Sequence, residues 1–325
     1  MALYVAGFNA WNQLESSYDP KRDVEWPADD IDIFTRMLED EAIDNLRPFF
    51  SYTLVDTKST RKILAGLSPS KHIELRKANE HIFDNCIEAF NGVTLVYNKE
   101  EAAFYQFPSI SDLLDLLSHP DDEQKLGLRK SFTGFPDIKQ FVSYDTGFAA
   151  LSSSGQVWTW GDERYAACLG RDVDSEHPAD RPGLVTDLED LPTGPITSIA
   201  AGGYMLAALT EGRDLYCWGH AGRSSLALIM HALTLTDRPT PVVISEADED
   251  SDVVDVAVGE SHMLALTAGG RVYVIGDNEH GQLGFPGATC APDWTDISDI
   301  CYRREEVTKV LAGRWSSFIV VKTQK

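Results

Sequence analysis

The sequence is short of positive charge. Lys and Arg number 28 against 51 Asp and Glu in 325 residues, a formal charge of −23. Phosphate recognition leans on Lys and Arg, so the deficit argues against nucleic acid or an anionic lipid surface as a direct partner. A basic protein partner suits the charge, and so does a bare requirement for solubility. Cysteine is scarce and scattered: Cys86, Cys168, Cys217, Cys290 and Cys301 are an odd set with no C-x-x-C pair. The spacing excludes a zinc ribbon and points to reduced thiols in an intracellular protein. No N-x-[ST] sequon occurs, and no run approaches the ~18 apolar residues of a membrane span. The first residues lack a charged segment followed by a long apolar one, so no secretory leader is expected and the expected location is cytoplasmic, nuclear or both. P-loop, H-E-x-x-H and G-x-S-x-G motifs are also missing. No catalytic residue, cofactor site or metal ligand is therefore nominated, and the chain is not expected to be an enzyme.

What is present is a repeat. Its fullest copy runs Val258-Gly-Glu-Ser-His-Met-Leu-Ala-Leu-Thr267, then Gly270-Arg-Val-Tyr-Val-Ile-Gly276-Asp-Asn-Glu-His-Gly-Gln-Leu-Gly284. Aligned on Gly276, the aromatic runs ending at Gly161, Gly219 and Gly7 fall into place. Each mixes aromatic and β-branched residues, which suits a pleated sheet. A small-residue strand lies upstream of the clear runs, at Phe148–Leu151, Met205–Leu209 and Met263–Leu266. The turns between the two strands, Ser152–Gly155, Thr210–Arg213 and Thr267–Gly270, contain glycine, which supplies the positive φ of a tight hairpin. A third strand precedes these, at Ile196–Ala200, Val253–Ala257 and Val307–Leu311, and a fourth is expected after the glycine, near Gln282 and Leu283.

The repeat is split across the chain. Leu3–Leu14 reads as the second half of a unit and Leu311–Val321 as the first half. A closed ring follows, in which 307–321 and 1–15 share one blade. The expected architecture is all-β: a single β-propeller over 1–325 of four-stranded antiparallel blades. Residues 138–285 hold three clear repeats, 16–137 degenerate blades with helical insertions, and 286–306 a loop. Two weak hairpins, Phe50–Gly66 and Ala89–Phe107, bring the count to six blades and leave a seventh open. Helices are expected at Asp30–Arg47, from the spacing of Ile33, Phe34, Met37 and Leu38, and at Ile110–Leu117 behind a Ser109 cap.

The pattern of Gly259, His262, Leu264, Ala265, Leu266, Gly270, Val272, Tyr273, Gly276, Asn278, Gly281, Gln282, Leu283 and Gly284 resembles the regulator of chromosome condensation repeat family. The resemblance covers about 138–325 and 1–15. Where it departs, Met205 and Ser316 or Ser317 stand at the histidine position, and Trp11 and Asn12 replace part of the glycine loop. The family implies propellers, usually seven-bladed, closed by strands from both termini. It also implies two kinds of role. Short all-propeller members partner tRNA-modification, diphthamide-pathway or Jumonji-type oxygenase proteins. The founder exchanges nucleotide on a small GTPase and binds chromatin.

Candidate contacts are aromatic and Arg residues in loops, since these anchor interfaces. Trp11, Tyr165 and His280 share the fourth position after the aligned glycine, which would put them on one face. Arg314 and Trp315 belong to a different loop, and Trp294 to the long insertion. His262 reads as a structural histidine. The acidic run Glu246–Asp252 reads as a solvated loop or a docking strip for a basic partner. A monomeric propeller inside a hetero-complex is the expected state.

Overall fold

The computed structural model describes residues 1–15, 28–59, 63–220, 229, 231–245, 252–298 and 306–323. Cys301 and all of the 246–252 run but Asp252 lie outside them. Among the described residues six antiparallel sheets form the blades of a propeller, six rather than seven. The closing blade runs outward from the axis as Glu306–Ala312, Ser316–Lys322, Ala2–Gly7 and Ile31–Glu39. Ala2 to Gly7 pair antiparallel with Val321 to Ser316, one for one. The second blade, Ile43–Pro48, Tyr52–Thr57 and Ile63–Gly66, has three strands among the described residues. The third spans Cys86–Glu88 to Lys130–Thr133, the fourth Ile138–Tyr144 to Gly183–Leu184, the fifth Ile196–Gly202 to Thr240–Val242, and the sixth Val253–Val258 to Cys290–Asp296.

The core is divided among six clusters, one at each junction between neighbouring blades. Leu264, Val274, Ile319 and Val321 join the sixth blade to the closing one. Leu3, Val5, Val55 and Phe318 join the closing blade to the second. Phe104, Phe148 and Trp160 fill the junction of the third and fourth. Both faces of each sheet are therefore covered, which is why second strands such as Met205–Thr210 and His262–Thr267 are buried at every residue. An alternating apolar pattern would suit only a sheet with one wet face.

The repeat glycine has a steric cause. Gly7 and Gly276, at or one residue before the ends of third strands, have φ of 114° and 112°. A Cβ on either would lie 2.3 Å from a backbone oxygen, of Trp315 and Ser261 respectively. In the Thr210–Arg213 turn the positive φ falls on Arg213, at 75°, and not on the glycine.

Two expectations fail. Residues 30–47 are strands, Ile31–Glu39 and Ile43–Pro48, and not a helix. Phe34 and Met37 are both buried, but Phe34 enters the core toward the sixth blade and Met37 the core toward the second. Positions an odd number apart point to opposite sides of a strand, so an outer strand that sends one buried side chain into the core on each side imitates helical spacing. The fourth strand of the sixth blade is Cys290–Asp296, inside the segment 286–306 expected as loop, while Gln282 and Leu283 sit in the preceding turn.

Helix α1 (Ser70–Ala78) and helix α2 (Glu80–Asp84) connect the second and third blades. Helix α3 (Ile110–Ser118) and helix α4 (Glu123–Leu128) precede the third blade's outer strand. As expected, Ser109 caps α3, accepting from the Asp112 amide at 3.4 Å, and Ile110, Leu113 and Leu116 are buried. Leu75 of α1 and Phe83 of α2 join the same junction core.

Candidate protein-binding face

In a four-stranded antiparallel blade, the inner hairpin and the connection after the third strand lie at the same end. Trp11, Tyr165 and His280, which follow third strands, thus share one end of the ring with Arg314 and Trp315, which sit in an inner hairpin. The two loop classes separated in sequence meet in space.

The loops of Trp11 and His280 are built alike. The Gln13 Oε1 accepts from the Trp11 amide at 2.9 Å, and the Gln282 Oε1 from the His280 amide at 2.9 Å. Asn9 and Asn278 accept from the amides of Leu14 and Leu283 at 3.0 and 2.8 Å. Asn12 takes φ of 55° where Gly281 takes 76°. Asparagine tolerates that left-handed conformation, so the loss of glycine at Asn12 leaves the loop unchanged.

These loops gather an aromatic cluster. His280 stacks on Trp315 with centroids 5.0 Å apart, and Phe8 meets Trp315 edge-on at 5.3 Å. Trp11 meets Phe50 at 5.0 Å, and Phe50 meets Trp315 at 5.2 Å. Phe50 and Phe90, 6.5 Å apart, are 38% and 60% exposed although apolar. Tyr165 repeats the arrangement elsewhere in the ring, stacked on Tyr204 at 4.8 Å with His220 beside it at 5.6 Å. Trp294 does not join either group. It lies on the sixth blade's outer strand and packs against the core shared with the fifth blade.

Arg314 crosses the mouth of the ring. It springs from the closing blade and reaches Asp145 of the fourth, the blade diametrically opposite, with Nη1 to Oδ1 at 3.2 Å. Its Nη2 also pairs with Glu260 of the sixth blade, and the guanidinium lies 3.3 Å from the centroid of Phe90 of the third. Backbone bonds bind the same hairpins: Asn91 N–H to Asp145 O at 3.0 Å, Asp145 N–H to Gly203 O at 2.8 Å, and Glu260 N–H to Arg314 O at 2.9 Å. The charge of Arg314 is thus used internally, and the side chain is a lock on the ring mouth as well as part of its surface.

Two histidines differ sharply. His280 Nδ1 lies 2.8 Å from Asp30 Oδ2, and this hydrogen bond raises its pKa above the ordinary imidazole value. His262 is fully buried, 3.0 Å from Ser317 Oγ, and burial lowers its pKa to about 4. Its counterparts at the start of second strands are Met205 and Ser316, fixed by pairing with Gly219 and Gly7. His262 is structural.

Phe8, Phe50, Phe90, Tyr204 and His220 were not among the sequence candidates. Phe50 was legible in principle, since it lies just before the second strand of its blade as Arg314 and Trp315 lie just before theirs. Among the described residues no group of three or more His, Cys, Asp or Glu is arranged to hold a metal ion.

A closed ring of repeats with a loop-built aromatic face defines a repeat β-propeller. Residues 253–282 match the family model described as the regulator of chromosome condensation (RCC1) repeat. The chain is 35% identical to the human regulator of chromosome condensation over 46% of its own length and 33% of that protein's. It is 35% identical to the Arabidopsis thaliana mitochondrial RCC1 domain-containing protein RUG3, over 42% of this chain and 28% of that one. The chain spans about a third or less of each of these two curated relatives. Among solved structures, Prp20p from Saccharomyces cerevisiae is similar with a TM-score of 0.65 at 14% identity, covering 100% of this chain and 92% of that one. Human WBSCR16 is similar with a TM-score of 0.57 at 15% identity, covering 99% and 100%. Residues 253–282 thus carry an RCC1 repeat, and the chain as a whole has the fold of Prp20p.

Proposed function

We propose that this propeller is a non-catalytic interaction subunit that grips a protein partner with the inner-hairpin end of its ring. The observation that carries the reading is the exposed pair Phe50 and Phe90, set between Trp11, Trp315 and the locked Arg314. Aromatic side chains held rigidly beside a guanidinium make good anchors, because little conformational entropy is lost when they are covered. Glu15, Asp29, Asp30 and Glu279 stand exposed around the cluster, so the matching partner carries an apolar knob flanked by basic residues. Within this reading the specific candidates are proteins of a tRNA-modification or diphthamide pathway, or a Jumonji-type oxygenase, acting in cytoplasm or nucleus.

A second reading, nucleotide exchange on a small GTPase, is favoured by the likeness to Prp20p, whose structure was described with its binding properties toward Gsp1p and histones. Exchange requires differential binding of the nucleotide-free GTPase and no covalent chemistry. Affinity capture with the full chain, compared with a Phe50→Ala/Phe90→Ala double variant, tests both. A stoichiometric protein lost from the variant supports the interaction subunit. A small GTPase recovered preferentially without nucleotide transfers the support to exchange. Equal recovery of every protein by the variant removes the face from both readings.

A further inference from the structure

The second blade is the one blade whose sheet stops at three strands among the described residues. Its last strand, Ile63–Gly66, pairs with Tyr52–Thr57 on one side, and no described strand pairs with the other. Such an edge directs alternate N–H and C=O groups outward, a template for another extended chain. The other five blades carry a fourth strand in the equivalent place.

Two further features suit an incoming strand. A groove of about 390 Å³ lies between this sheet and α1, with Leu54, Leu64, Ile73, Arg76 and Lys77 among its walls. Leu54 and Leu64 are cross-strand partners and so face the same side. Every second side chain of an added strand would fall over that groove. Leu64, on the groove wall, is 41% exposed, and Leu67, the residue after the strand, is 54% exposed. The second feature is charge. Between Ile63 and Ala78 the basic residues Lys71, Arg76 and Lys77 outnumber the single acid Glu74, reversing the chain-wide excess of 51 acidic over 28 basic residues. Glu80, also on the groove wall, lies 3.8 Å from Arg76.

We infer that this edge takes an extended, acidic segment of a partner protein as its fourth strand, with apolar side chains in the groove and carboxylates against Arg76 and Lys77. A second copy of this chain fits less well, because two such edges would bring like charges together. The site is separate from the aromatic face and independent of its proposed role.

The test is selection from a displayed library of random dodecapeptides against the full chain, followed by fluorescence anisotropy and amide hydrogen exchange on the enriched peptides. The expected winners alternate β-branched residues with Asp or Glu and lack central proline. They bind Leu64→Asp and Arg76→Glu/Lys77→Glu variants at least tenfold more weakly, and they slow exchange at Ile63–Gly66. Both variants change exposed or groove-lining side chains, and circular dichroism checks that they fold. The Phe50→Ala/Phe90→Ala variant should bind these peptides unchanged. No enrichment, enrichment of basic or proline-rich sequences, or binding without protection of Ile63–Gly66 would each overturn the inference. So would a dimer of the free chain abolished by Leu64→Asp.

Discussion

Replacing His262 by glutamine should flatten the acid side of the stability curve. The imidazole is fully buried, and burial holds its pKa near about 4, against an ordinary value of 6.5. In the unfolded chain the same ring takes a proton as pH falls through its ordinary range, while in the folded chain it stays neutral. Protons then bind the unfolded state preferentially, so this group's contribution is full above the unfolded pKa and is lost as pH falls toward the folded one. Between about pH 7.5 and about pH 5 the loss from this one ring comes to roughly 2 kcal/mol. Many carboxylates titrate over the lower part of that interval, so the informative quantity is a difference of differences. Urea unfolding of the native and His262→Gln proteins at the two pH values gives it directly. Glutamine can still reach Ser317 Oγ, and whatever it costs in packing is the same at both pH values. The variant should lose about 2 kcal/mol less than the native protein on acidification. Equal losses would mean that His262 is hydrated or protonated in the folded ring, and the reasoning would fall.

Three other perturbations probe the ring. Arg314→Leu removes the guanidinium that Asp145 and Glu260 share across the axis, and thermal or urea unfolding should register a loss of about 3–5 kcal/mol. Unchanged stability would show that the lock is ornamental. His280 should titrate above its ordinary value in an NMR pH series, and Asp30→Asn should bring the midpoint down; no movement would separate the two residues. Deleting residues 1–7 removes the fully buried Leu3 and Val5, each contributing about 1.5–3 kcal/mol, and leaves Ser316–Lys322 without its outer partner. Limited proteolysis should then cut within 306–323 well before it cuts the native protein.

The ring itself was largely written in the repeat. Glycines at 7, 161, 219 and 276 mark a place where the third strand's end passes against the second strand's start, so they align because sterics requires it. Split halves predicted the pairing of Ala2–Gly7 with Ser316–Val321 because both carry the same apolar run as an internal hairpin. The strand at Ile31–Glu39 escaped notice for a physical reason: an outer strand sandwiched between two junction cores loses the alternation by which strands are recognised. Most of the face was illegible too. Which loops share an end follows from sheet connectivity, but Phe50 and Phe90 become neighbours only when the blades are set around an axis. Arg314 reads as an exposed anchor in sequence, and its two carboxylate partners lie 54 and 169 residues away.

The pairing of Ala2 with Val321 also sets a timetable. During synthesis Ala2–Gly7 leaves the ribosome about 300 residues ahead of Ser316–Val321, the strand beside it. Until then it has Ile31–Glu39 on one side only, an open edge on the other and uncovered apolar side chains, circumstances in which nascent chains stick to one another. Contacts this distant in sequence also close slowly, since the intervening chain must be ordered before they form. A cell making this protein thus has to shelter an unfinished circle, and its yield should respond to chaperone supply more than its final stability suggests.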